Sequence, residues 1–135
     1  MRGIPLLLLG ATLVSCAAPP PDPAASARSA QRLQELIAGK VAGPPQGCLP
    51  LLPTQGQMVV IDDQTVAFKG GAGKVYVSQL SPGCSQVGLG NALITRRTGS
   101  TLCRGDIAQV QNLNSGITVG SCTFGEFVPY TGPGA

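Results

Sequence analysis

The chain has 135 residues and a formal charge of +3, with 11% charged and 4% aromatic residues, 19 Gly, 12 Pro, no His and no Trp. That is too much Gly and Pro for a helical bundle, and there are too many Val, Ile and Thr runs for disorder, so a turn-rich β domain is expected. The absence of His excludes Ser-His-Asp and Cys-His catalysis and His-ligated metals, and the scattered Lys and Arg form no basic stripe for nucleic acid.

The chain opens with Met1-Arg2-Gly3, a short positive segment, followed by an almost wholly apolar run from Ile4 to Val14 of 11 residues. A membrane-spanning helix needs roughly 20 residues, so this run has the length of a signal-peptide core. It ends in Leu13-Val14-Ser15-Cys16. That tetrapeptide, at this distance from the start, resembles the lipobox of bacterial lipoproteins. The resemblance implies removal of residues 1–15, a diacylglycerol thioether on Cys16 and acylation of the new amine. Two or three acyl chains hold a protein on a membrane, whereas one binds only marginally. Ala17 in place of Asp implies the outer membrane, facing the periplasm. The alternative is an ordinary secretory leader cut near Ser15-Cys16-Ala17, which leaves a soluble protein. Without Arg2, eight Lys and Arg against six Asp and Glu give the remainder +2.

The five cysteines are Cys16, Cys48, Cys84, Cys103 and Cys122. An odd count in an exported protein leaves one unexplained; lipidation of Cys16 uses it and leaves four for two disulfides in an oxidising compartment.

Residues 16–25 read as the lipidated Cys and a Pro/Ala-rich tether, because four of the nine residues after Cys16 are Pro. Such a stretch favours extended geometry. Residues 26–43 are predicted as a short amphipathic helix. Leu33, Leu36, Ile37 and Val41 recur on one stripe, Ser26 or Ser29 caps the start, and Gly39 or Gly43 the end. The stripe is expected to pack on the β domain and not on a membrane, since its polar face has little basic excess.

Residues 44–135 are predicted as a mainly β domain: a small antiparallel sheet, sandwich or barrel of about six strands, stapled by two disulfides. The predicted strands are 57–61, 65–69, 74–80, 91–97, 103–110 and 116–124, the last extending to Val128 before Pro129. A hairpin closed by a loop at 111–115 places Cys103 opposite Cys122. That favours Cys103–Cys122 with Cys48–Cys84 as the second bridge, among the three connectivities that four cysteines allow.

The region from Cys48 to Pro129 also resembles an uncharacterised family of small secreted proteobacterial proteins. The resemblance rests on Cys48, the run from Val60 to Phe68, Tyr76 with Leu80 and Cys84, the run from Cys103 to Ile107, and Gly120-Ser121-Cys122 with Gly125 and Phe127. Where that family carries an Arg soon after the first Cys, this chain has Leu51-Leu52-Pro53. The resemblance implies a cysteine-stapled domain and no activity.

Candidate chemistry is sparse. With four cysteines in disulfides, no thiolate remains as nucleophile or ligand, and no catalytic residue, metal site or cofactor is expected. The acids beyond the tether are Glu35, Asp62, Asp63, Asp106 and Glu126. Asp62 and Asp63 read as turn formers. Gly70-Gly71-Ala72-Gly73-Lys74 lacks the spacing and following Ser or Thr of a phosphate loop and reads as a hairpin turn; Gly88-Leu89-Gly90 reads as a loop. Arg104-Gly105-Asp106 matches an adhesion tripeptide but falls on a predicted strand, and Arg96-Arg97 reads as a solvated strand end, with an anionic ligand site as the sharper alternative.

These readings converge on a non-enzymatic, membrane-anchored envelope protein with a binding or structural role, its partners the membrane, through Cys16, and an envelope protein or peptidoglycan. One rival is an inhibitor of an envelope or host hydrolase that presents the 83–90 loop. Another is a carboxylate-dependent hydrolase using Asp106 or Glu126 with Asp62 or Asp63.

Overall fold

The computed structural model describes residues 20, 22–50, 57–88, 90–97 and 99–133. The leader, Cys16 and Leu51-Leu52-Pro53 lie outside the described residues.

Helix α1 spans Pro23–Ile37, starting three residues before the predicted 26. The reason is local. Asp22 caps the helix, its Oδ1 accepting from the Ala24 amide at 2.9 Å, and Pro23 occupies the first turn, where its fixed φ and missing N–H cost nothing. The helix also stops short of the predicted 43. Ala38 leaves helical geometry, Gly39 adopts φ +69°, and Val41–Ala42 forms a two-residue strand, β1. Leu33, Leu36 and Ile37 pack against Ile61, Ala67, Val75 and Val77, as the stripe predicts, whereas Val41 is turned outward. Arg32 ties the helix to the sheet, its Nη1 donating to the Val60 carbonyl at 2.9 Å.

The remaining strands are β2 (Met58–Val60), β3 (Thr65–Lys69), β4 (Val75–Leu80), β5 (Asn91–Arg96), β6 (Ile107–Asn112) and β7 (Thr118–Thr131). Six of them form an antiparallel path in the order β2-β3-β4-β7-β6-β5, curled into a half-barrel, and β1 pairs with the end of β7. The fold is therefore mainly β with one N-terminal helix and two disulfides, as expected.

The 14-residue β7 joins the two halves of the path. Its first part pairs with β6 and its second with β4. The register shifts between Ser78↔Phe127 and Leu80↔Phe124, so β7 carries an extra residue there. A bulge of this kind resets the alternation of side chains, which lets both Phe124 and Phe127 face the interior. They meet Phe68 there at ring-centroid distances of 6.0 and 5.9 Å, bringing all three phenylalanines of the chain together. β7 also runs through Pro129, where a stop is predicted. The Pro129 carbonyl accepts from the Gly43 amide, so its ring nitrogen faces that irregular segment and not β4, and no ladder bond is lost.

The half-barrel has two apolar layers. Inside lie Leu49, Val66, Phe68, Tyr76, Leu80, Leu93, Leu102, Val110 and the phenylalanines. Outside, α1 covers Ala67, Val75 and Val77, so β3 and β4 are buried on both faces. This explains why residues 65–68 read as a nearly continuous apolar run and not as an alternation. Among the described residues, no element covers the outer face of β5, β6 and the start of β7 in this way, and Ile94, Ile107 and Val119 are exposed on it.

The disulfides are Cys48–Cys103 and Cys84–Cys122, which corrects the predicted Cys103–Cys122 and Cys48–Cys84. The error is one of register. β6 continues through Gln111 and Asn112, and the turn falls later, so Cys122 pairs with Ala108, five residues beyond Cys103. Asn112 fixes that turn, its Oδ1 accepting from the amides of Asn114 and Ser115. Cys103 stands before β6 in a bridge to Cys48, and the adjacent leucines pair, the Leu49 amide donating to the Leu102 carbonyl at 2.8 Å. Cys84 reaches Cys122 because the chain after β4 runs beside β7, with the Ser81 amide donating to the Thr123 carbonyl. A Cβ on Gly83 would collide with the Ser121 carbonyl, and one on Gly120 with the Gly83 carbonyl. Glycine at both positions is what allows the approach.

Each of the four cysteines lies in a different tryptic peptide, so non-reducing digestion reads the connectivity directly. Peptide 41–69 is expected joined to 98–104, and 75–96 to 105–135. Any other pairing in the mass spectrum would refute the topology around β7.

Candidate functional site

Most of the acidic side chains have a local partner. Asp62 closes the β2–β3 turn, its Oδ1 accepting from the Gln64 amide at 2.9 Å, with Asp63 exposed beside it. Asp106 Oδ2 accepts from the Cys103 amide at 2.7 Å, so Arg104-Gly105-Asp106 is a turn preceding β6 and not part of a strand. Arg104 pairs with Glu126 at 3.0 Å, both more than half exposed, an arrangement that contributes at most about 1 kcal/mol. Among the described residues no group of three His, Cys, Asp or Glu is placed to hold a metal ion.

The glycine-rich segment 70–74 is a tight turn between β3 and β4, closed by the Gly70 amide on the Lys74 carbonyl at 2.7 Å, as predicted. The arginines at the end of β5 are exposed and folded back on their own chain. Arg96 Nε donates to Gln109 Oε1 at 2.6 Å, and Arg97 Nη1 to the Ser100 carbonyl at 3.3 Å. The 83–90 segment, a candidate for a presented loop, is pinned at both ends. Gly83 lies on β7, and Asn91 holds the other end, its Nδ2 donating to the Gln86 carbonyl at 2.8 Å.

Three surface features stand out beyond these. A cavity of about 80 Å³ lies between the outer strands β2 and β5, lined by Leu49, Met58, Phe68, Thr95, Arg97 and Leu102. It is smaller than the roughly 150 Å³ of a cavity that accommodates benzene. A shallow cleft runs along the first half of α1, where Ala25, Arg28, Ser29 and Arg32 face Ile61, Val87 and Gly88. Finally, the tip of the β6–β7 hairpin exposes Leu113 and Ile117 at 69% and 62%, with Val119 beside them at 46%.

Sequence reasoning misses the hairpin tip, although the chain carries a signal for it. From Ile107 to Gly125 there is no charged residue, even though two strands and a turn in that stretch meet solvent. Comparisons with known protein families, with curated proteins and with solved structures find no match to this chain. What the geometry defines is a small antiparallel half-barrel, held by two internal disulfides and backed by one helix.

Proposed function

We propose that this protein is a lipid-anchored cell-envelope protein whose half-barrel serves a binding or structural role, without catalysis. One observation carries the reading. The four cysteines of the domain bond to one another, so the fifth, Cys16, is left with no cysteine of its own chain to join. It stands at the end of an apolar run, in the Leu13-Val14-Ser15-Cys16 context of a lipobox. Two disulfides fit an oxidising compartment outside the cytoplasm, which is where such a signal leads. Ala17 favours the outer membrane, facing the periplasm. The local engagement of Asp62, Asp106 and Glu126 accords with a binding or structural role, with an envelope protein or peptidoglycan as the partner.

The test is the Cys16→Ser variant, followed by cell fractionation and intact-mass measurement. The native protein is expected in the membrane fraction with acyl mass on a chain beginning at residue 16. The variant is expected unprocessed or released. Equal membrane retention of the two, with no acyl mass on the native chain, would refute the proposal.

A further inference from the structure

The start of α1 and the apolar hairpin tip lie at the same end of the molecule. Ala25 and Arg28, in the first turns of α1, share a cleft with Val87 and Gly88. The Gly88 amide donates to the Asn91 carbonyl at 3.4 Å, and the Leu113 amide to the Gly90 carbonyl at 3.1 Å. The start of the helix, the 85–88 turn and the hairpin tip therefore succeed one another across one end. The opposite end carries the β3–β4 turn, beside the pairing of Val75 with Tyr130 near the end of β7.

Chain length then limits how far that end stands from a bilayer. Because the helix is capped by Asp22, only five residues separate it from Cys16. Fully extended, the path from Cys16 to Asp22 spans about 20 Å. A lipid on Cys16 thus keeps the helix start within about 20 Å of the headgroups, with the hairpin tip on the same end.

The tip suits that location. It is held in one shape: Asn112 Oδ1 accepts from Asn114 and Ser115, the Gly116 amide donates to the Asn112 carbonyl at 2.8 Å, and Gln111 Nε2 donates to the Gly116 carbonyl at 2.7 Å. These bonds satisfy much of the turn's own polar backbone, and Leu113 and Ile117 project with no charge nearby in the hairpin sequence. Apolar side chains at a membrane interface leave water at little ordering cost when the loop bearing them is already rigid.

We propose that the β6–β7 hairpin tip is a second membrane contact, with Leu113 and Ile117 entering the interface of the bilayer that holds Cys16. This rests on the lipid anchor proposed above. Together, acyl chains and tip fix the orientation of the half-barrel, turning its β3–β4 end toward the aqueous phase.

The experiment uses the full processed protein in phosphatidylethanolamine–phosphatidylglycerol vesicles. An environment-sensitive fluorophore is placed on Leu113→Cys, on Ile117→Cys or, as control, on Ala72→Cys in the β3–β4 turn. Emission is expected to shift to shorter wavelength, and to be quenched by brominated acyl chains, at 113 and 117 but not at 72. Water-like emission at 113 and 117, on chains whose Cys16 acylation is verified by mass, overturns the tip contact and leaves the anchor intact. Equal quenching at all three sites also overturns it, since the domain would then have no fixed orientation. Chains that carry no acyl group and fail to float with the vesicles overturn the anchor itself.

Discussion

Replacing both Cys84 and Cys122 with Ala is expected to remove about 4 kcal/mol of stability and to lower Tm by more than about 15 °C. The bridge closes a loop with a sequence separation of 38, and the loop-entropy account of cross-linking assigns about 4 kcal/mol to a closure of that length. A domain of this size has only about 5–15 kcal/mol in hand, so the loss is about a quarter or more of the total. Burial adds to the effect. Cys84 and Cys122 are 0% and 4% exposed within the inner core, so their truncation also thins the packing around Ala108 and Val110. The Cys48–Cys103 bridge closes a longer loop, with a separation of 55, but Cys48 is exposed, and its removal leaves the core contacts in place. Urea and thermal unfolding of the two double variants side by side are the measurements. The buried pair is expected to be the more damaging, and a Tm within a few degrees of the native value for Cys84→Ala, Cys122→Ala would contradict the structure.

The second large effect is expected at Phe127. Truncation to Ala should cost about 3–5 kcal/mol, the usual loss for a fully buried aromatic ring, where transfer and cavity terms add. Phe127 is 0% exposed and its ring meets Phe68 and Phe124 at centroid distances of 5.9 and 6.2 Å. Its backbone also exchanges two hydrogen bonds with Gln46, both at 2.9 Å, which attaches the segment after β1 to the sheet. Collapse of the site would thus loosen the sheet and the segment leading to Cys48 together. Ile117→Ser, at the exposed hairpin tip, should change stability by no more than about 0.5 kcal/mol. Chemical denaturation distinguishes the two; a Phe127→Ala loss as small as that at the tip would mean that the bulge does not turn this ring inward.

Much of the architecture is legible in local sequence patterns. The strands at β3, β4 and β5, the turn at 70–74 and the helical stripe of Leu33, Leu36 and Ile37 follow from β-branched runs, glycine punctuation and a period near 3.6. Each depends on a few neighbouring residues, and each is where the sequence places it. The helix start is legible too, in Asp22-Pro23, but the prolines before it dominate the composition and make the same residues read as tether. The hairpin tip, likewise, is written in an uncharged stretch from Ile107 to Gly125 that holds no motif.

By itself the sequence determined a short helix followed by a turn-rich β domain with four cysteines to pair, since patterning, capping and composition act over a few residues. Tertiary structure alone decided which cysteines join, that β7 serves two neighbours, that three phenylalanines meet, and that the helix start and the hairpin tip share one end. These depend on register, and register is set by contacts far apart in the chain. Displacing the β6–β7 turn by a few residues places Cys122 opposite Ala108 instead of Cys103, and every bridge changes with it.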